Sequence, residues 1–229
     1  MSRPLSRRAF LATGAALGVV ATTSCGSEDE APSGSTDTGD AAFPRTVTHK
    51  YGQTDIPGTP QRLVTVGLND HDFVLALGIV PTAVTDWYGD YPHAVWPWAE
   101  EALGDGTPEV MPRNEDQLNF ELIASLRPDL ILGQYTGMSE ADYGTLSDIA
   151  PTVAQSADFP DYGMPWDATM LAVGDALGRR PEAEQIVADT ERLFADARAA
   201  HPEFEGRTAV VAEKFDTYVV RGATDPRTR

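Results

Sequence analysis

The stretch from Arg62 to Val84, "RLVTVGLNDHDFVLALGIVPTAV", holds the unit from which the fold can be read. Leu63 to Leu68 is a short, nearly continuous apolar run, which suits a strand covered on both faces. Asp70 is placed to cap a helix in which Phe73, Leu75, Ala76 and Leu77 form an apolar stripe, and Gly78 supplies the stop. The next strand falls in "IVPTAVTD". The same arrangement returns in "NFELIASLRPDLILG", with a helix from about Phe120, a break at Pro128 and a strand at Leu130 to Leu132. "ADYGTLSDIAPTVAQ" then predicts a short helix and a strand around Thr152 to Ala154. Strands alternating with helices over units of this length predict the α/β class with a parallel sheet.

Upstream, "VTHKY" alternates and "GQTDIPGTP" carries turn residues, so a short hairpin or edge segment opens the body near Phe43. Downstream, Asp167 is placed to cap "ATMLAVGDALG", which ends at Gly178. Pro181 then opens "PEAEQIVADTERLFADARAA", where Ile186, Val187, Leu193 and Phe194 keep a helical period to Ala200. That second helix would run about 30 Å, long enough to join two lobes. "RTAVVAEKF" and "TYVV" restart strand character, and "GATDPRTR" reads as a helix start, with Asp225 at the N-cap and Pro226 following. A second lobe of ordinary size would need roughly a hundred residues. The expectation is therefore one complete lobe and only the beginning of another.

In a parallel α/β sheet, ligands sit beyond the carboxyl ends of the strands. The loops at those ends are "GLNDHD", "TDWYGDYPHAVWPW", "GQYTGMSE" and "QSADFPDYGMPW". They carry Trp87, Tyr88, Tyr91, Trp96, Trp98, Tyr135, Phe159, Tyr162 and Trp166, including all four tryptophans of the chain. Such rings offer flat apolar area at little entropic cost. Trp96 and Trp98 fall in "HAVWPWAEEAL", read as a short helix in which both pack their own loop.

The amino-terminal residues carry a different message. Arg3, Arg7 and Arg8 precede an apolar run from Ala9 to Ala21 that is too short for a permanent bilayer span, so residues 1–24 read as a signal peptide. Ser6 to Leu11, "SRRAFL", resembles the twin-arginine export motif through Arg7 and Arg8. Thr23-Ser24-Cys25-Gly26 resembles a lipobox, with Thr22 where Leu or Val is usual, and marks Cys25 for lipidation. Beyond Cys25 the chain is small, polar and acidic, and residues 25–42 read as a disordered tether.

Composition narrows the function further. Residues are 41% hydrophobic, and Cys25 is the single cysteine, so disulfides are excluded. Removing residues 1–24 takes away three arginines and no acid, moving the formal charge from −18 to −21. Nucleic acid is excluded as a partner on that charge. Asp70, His71 and Asp72 raise the question of a metal site, but the four histidines are scattered at 49, 71, 93 and 201, and His71 reads as a first-turn helix residue. No metal site is expected. No Gly-x-Ser-x-Gly, Ser-x-x-Lys, phosphate loop or His-Glu-x-x-His occurs, so an enzyme is not expected and no catalytic residue is assigned.

Taken together, "TPQRLVTVGLNDHDFVLALGIVPTAV", "LNFELIASLRPDLILG", "YGTLSDIAPTV" and "AVGDALGRRPEAEQIV" resemble the amino-terminal lobe and linking helix of periplasmic-type substrate-binding lipoproteins of iron-siderophore ABC importers. The resemblance covers Phe43 to about Val220. It implies two α/β lobes joined by one long helix: a lobe at 43–178, a linking helix at 179–201, and the start of a largely missing second lobe at 202–229. It implies a monomer that needs no cofactor. Such a protein captures a ferric siderophore, delivers it to a membrane permease and its ATPase, and is held by a lipid on the outer face of the cell membrane. Against such a ligand Trp87, Tyr88, Tyr135 and Trp166 are the candidate walls, with Asn69 and Arg113 as polar contacts, Arg113 suiting anionic oxygens. The acid excess points to a hydroxamate rather than a triscatecholate complex. Haem or cobalamin, also suited to aromatic walls, is the alternative ligand.

Overall fold

The computed structural model describes residues 43–112, 117–214, 216–222 and 225. Its centre is a five-stranded sheet formed by β3 (Leu63–Thr65), β4 (Ala83–Thr85), β5 (Glu109–Met111), β6 (Leu130–Gly133) and β7 (Thr152–Ala154). The order is β5-β4-β3-β6-β7 and every pairing is parallel. The chain steps one way from β3 to β4 and β5, then crosses back to β6 and β7. That reversal creates a switch point beside β3, where the connections diverge and leave a crevice at the strands' carboxyl ends.

The strand sequences explain the two-sided burial. Side chains alternate along a strand, so Leu63, Leu130, Leu132 and Val153 pack on one face. There they meet Val74 and Leu77 near α1 (Asp70–Ala76) and Met170, Val173 and Ala176 of α5 (Trp166–Ala176). Val64, Ile131 and Ala154 point the other way, toward Ile123 of α3 (Phe120–Ser125) and Leu146 of α4 (Glu140–Ile149). Leu130, Ile131 and Leu132 are fully buried, as continuous apolar strands require. The helices start where their caps dictate. Asn119 Oδ1 accepts the Leu122 amide at 3.0 Å, and Ser139 with Asp142 forms a reciprocal capping box.

The opening hairpin pairs β1 (Arg45–His49) with β2 (Gly52–Ile56) and is fastened to the sheet by a buried polar chain. The Tyr51 amide donates to His49 Nδ1, leaving Nε2 to donate to Thr54 Oγ1 at 2.9 Å, and Thr54 in turn donates to the Thr152 carbonyl at 2.6 Å. Burial holds His49 below the usual histidine range, consistent with this neutral tautomer.

Several sequence expectations need correction. Asp70 does not cap its helix: Asn69 holds the cap position without a side-chain cap bond, and Asp70 turns elsewhere. Asp167 lies inside α5, whose cap position is Pro165. "HAVWPWAEEAL" is not one helix. A 3-10 turn at Pro92–Ala94 is followed by non-helical chain and then by α2 (Glu100–Leu103), because Pro97 disfavours helical backbone at Trp96. Strand β5 was not anticipated, since only Met111 of its three residues is buried.

After α5 the chain turns into α6 (Arg180–Ala200), a 21-residue helix. Its first turns pack on α5, where the position of a Cβ on Gly174 would fall 2.4 Å from the Ala183 Cβ. Arg180 bridges Asp175 and Glu184 at this start. Farther along, Leu193 and Phe194 are exposed. The antiparallel pair β8 (Ala212–Lys214) and β9 (Tyr218–Val220) follows. Among the described residues, no helix is long and apolar enough to cross a membrane.

Glycine to alanine within a helix ordinarily stabilises by about 0.5–1 kcal/mol. At Gly174 the close α5–α6 approach reverses the sign: Gly174→Ala is expected to destabilise by about 1–3 kcal/mol in urea unfolding. Unchanged or raised stability would show that α6 is not held this closely.

Candidate functional site

The crevice at the carboxyl ends of the strands opens into a cavity of about 270 Å³. Asn69 reaches it from the loop after β3, Trp87, Tyr88, Trp96 and Trp98 from the loop after β4, Tyr135 from the loop after β6, and Trp166 from the start of α5. Five of the six residues expected to contact ligand are therefore brought together: Asn69, Trp87, Tyr88, Tyr135 and Trp166. Arg113 lies outside the described residues. Phe73, Met164 and Thr169 complete much of the lining, with Asp72 and Glu213 adding carboxylates.

The rings form a connected series. Trp98 stacks on Trp96 with centroids 4.9 Å apart and planes 13° from parallel. Trp96 meets Tyr88 edge-on at 4.5 Å, Tyr88 meets Trp87 at 4.7 Å, and Trp87 faces Tyr135 at 6.1 Å. Tyr135 continues to Tyr162 at 5.0 Å. Trp96 and Trp98 thus do both things that were set against each other in the sequence: they pack on their own loop and also line the cavity. The lining role is invisible in a helical reading of that segment. The signal that could have found it is the Trp-Pro-Trp spacing, in which the proline keeps both rings on irregular chain.

Tyr135 is positioned by a buried carboxylate. Asp70, with no exposed surface, accepts the Gln134 amide at 2.7 Å and the Tyr135 amide at 3.0 Å, with the Gly67 amide as a third donor. The Tyr135 carbonyl accepts the Leu68 amide at 3.1 Å. Gln134 is itself tied down, its side-chain amide donating to Ala154 at 3.1 Å. Gly67 is obligatory here, since a Cβ would fall 2.2 Å from the Asp70 carboxylate. Burial pushes the Asp70 carboxyl up to about 7, outweighing the opposite pull of the three amides.

His71 and Asp72 are separate from this arrangement. His71 is buried and held below its usual range by loss of solvent; Asp72 is raised for the same reason and accepts from Trp98 Nε1 at 3.2 Å. Among the described residues, no group of three or more histidine, cysteine or acidic side chains is arranged to hold a metal ion.

A parallel sheet with a ligand-sized aromatic crevice at its switch point defines a solute-binding α/β lobe. The chain belongs to the periplasmic binding protein family, which it matches over residues 63–226. It is 31% identical over 156 residues to YfiY of Bacillus subtilis, a probable siderophore-binding lipoprotein, covering 67% of this chain and 45% of that one. Among solved structures it is similar to a periplasmic solute-binding protein of Mycobacterium smegmatis (38% identity, TM-score 0.70), covering 77% of this chain and 60% of the other. It is also similar to the PiaA protein of Streptococcus pneumoniae in complex with ferrichrome (30% identity, TM-score 0.67; 80% and 63% covered). The chain spans about half the length of the curated relatives it matches.

The Asp70 contribution to stability has a definite sign. An unfolded aspartate titrates near 4, so the folded state binds this proton more tightly, and the associated stability is complete below about pH 4 and lost as pH rises through about 7. Replacing Asp70 by Asn removes the titration. Wild-type stability minus that of Asp70→Asn, from urea unfolding at a series of pH values, is therefore expected to fall between pH 4 and 7. A flat or rising difference would contradict the assignment.

Proposed function

We propose that this chain is the ligand-capturing part of a substrate-binding lipoprotein that collects a ferric siderophore, of hydroxamate type, for an ABC importer. The observation that carries this reading is the connected aromatic wall above the switch point. The metal of a ferric siderophore is already saturated by the chelator's oxygens, so the protein need offer no ligand to iron, only flat surface and a few polar contacts. Trp87, Tyr88, Tyr135 and Trp166 supply the surface, and Asn69 and Arg113 are the proposed polar contacts. The names of YfiY and of the ferrichrome-bound PiaA support the choice of siderophore.

In the same proposal residues 1–24 direct export through Arg7 and Arg8, Cys25 carries the lipid, residues 25–42 are the tether, 43–178 form the lobe, 179–201 the linking helix and 202–229 the start of a second lobe. The protein acts as a monomer on the outer face of the cell membrane and hands its cargo to a permease driven by an ATPase.

Tryptophan fluorescence is the direct test, because the chain's tryptophans line the cavity. Titration with a ferric tris-hydroxamate is expected to quench emission more strongly than haem or cobalamin does. Trp87→Ala or Tyr135→Ala should weaken binding by about 1–3 kcal/mol, the range for a buried aromatic anchor. Emission unchanged by the ferric complex, or affinity unchanged in both variants, would refute the reading. For the anchor, Cys25→Ser is expected to move the protein out of the membrane fraction, and replacing Arg7 and Arg8 by Lys to block export. Membrane retention of Cys25→Ser would rule out lipidation.

A further inference from the structure

The unpaired buried polar atoms of the aromatic cavity are of one kind. Asn69 Oδ1 and Asp72 Oδ1 are both shielded from solvent and neither has a hydrogen-bond partner. Both are acceptors, and both residues line the cavity. The other Asp72 oxygen is occupied by Trp98 Nε1 at 3.2 Å, which fixes the carboxylate beside the stacked Trp98–Trp96 pair. Glu213, paired with Arg221, adds a further carboxylate to the lining. Among the described residues lining the cavity there is no lysine, arginine or histidine.

An unpartnered buried acceptor is costly, and an unpartnered carboxylate more so. The nearest basic group does not relieve it: His71 Nε2 lies 3.9 Å from Asp72 Oδ1, too far for a hydrogen bond. What the site lacks is a donor carrying positive charge. Tryptophan and tyrosine faces attract the same kind of group through the ring quadrupole, and more strongly where water is excluded. Anionic oxygens, by contrast, would meet the Asp72 and Glu213 carboxylates and the Asn69 carbonyl oxygen.

We infer that Asp72 and Asn69, with the Trp96–Trp98 pair, form a subsite for a primary ammonium group carried on the periphery of the ferric complex. The inference rests on the siderophore reading and sharpens it. A ferric ion and three hydroxamate anions cancel in charge, so a tris-hydroxamate complex with one ammonium arm is a net cation. The ammonium would donate to Asp72 Oδ1 and Asn69 Oδ1 while the neutral chelate core lies against Trp87 and Tyr135. Trp98 remains hydrogen-bonded to Asp72 throughout, so the carboxylate is held in position before the ligand arrives.

The test compares two probes on the full chain by tryptophan quenching: the ferric complex of a linear tris-hydroxamate ending in a primary amine, and the same complex with that amine acetylated. Acetylation removes the charge and leaves the iron centre intact. The wild-type protein is expected to prefer the ammonium form by about tenfold or more, the scale of one charge-assisted hydrogen bond. In Asp72→Asn, which retains an acceptor for Trp98, the ratio of the two affinities should fall toward one. Equal or tighter binding of the acetylated complex by the wild type would overturn the subsite while leaving the siderophore reading in place. So would a ratio that Asp72→Asn does not change. Absence of quenching by either complex would remove both.

Discussion

The arrangement on which the site depends is the buried Asp70 carboxylate clasped by three backbone amides. It joins the end of β3 to the end of β6 across the switch point of the sheet, and it does so from the first residue of α1. Gly67 leaves room for it and Gln134 anchors the far side to β7. An isolated buried carboxyl would cost several kcal/mol, and amide donors are the compensation available without importing a second charge. The result is a rigid turn that holds Tyr135 opposite Trp87. A binding wall built from loops needs such fastening, because aromatic side chains grip a ligand only when their backbones are already in position.

The fold was legible because its signals were strong and local. Leu130-Ile131-Leu132 could hardly be anything but a doubly covered strand, and the repeated strand–helix order left a parallel sheet as the economical solution. The aromatic loops can be assigned to one edge from strand direction alone, which is why the sequence already places Trp87, Tyr88, Tyr135 and Trp166 on the same edge. Less legible was what depends on contacts distant in sequence. Asp70 reads in the sequence as a helix cap, and only the fold brings the amides of Gln134 and Tyr135 to it, 64 and 65 residues away. Trp96 and Trp98 were hidden by alanine and glutamate neighbours that suggest a helix which Pro97 interrupts. Glu213 comes to the cavity from the β8 strand, beyond α6, and no local pattern announces that.

The chemistry of the wall follows from how burial and charge are combined. Apolar rings lower the local dielectric around Asn69 and Asp72, so the few polar groups present discriminate strongly between ligands of different charge. A chain this acidic would also repel a polyanionic chelate at long range, although screening limits that effect to about 10 Å in ordinary salt. Selectivity is therefore expected to come from groups inside the crevice. This fits the proposal that the protein recognises an already completed metal complex by its outer shape and charge, without competing for the metal.

The central claim is that the iron complex lies on the aromatic wall above β3 and β6. Anomalous diffraction at the iron edge, from crystals grown with a ferric tris-hydroxamate, addresses it directly. The account predicts a single iron peak in the crevice between Trp87 and Tyr135, with no protein atom coordinating the metal. A peak elsewhere on the chain, or iron bound directly by protein side chains, would contradict it.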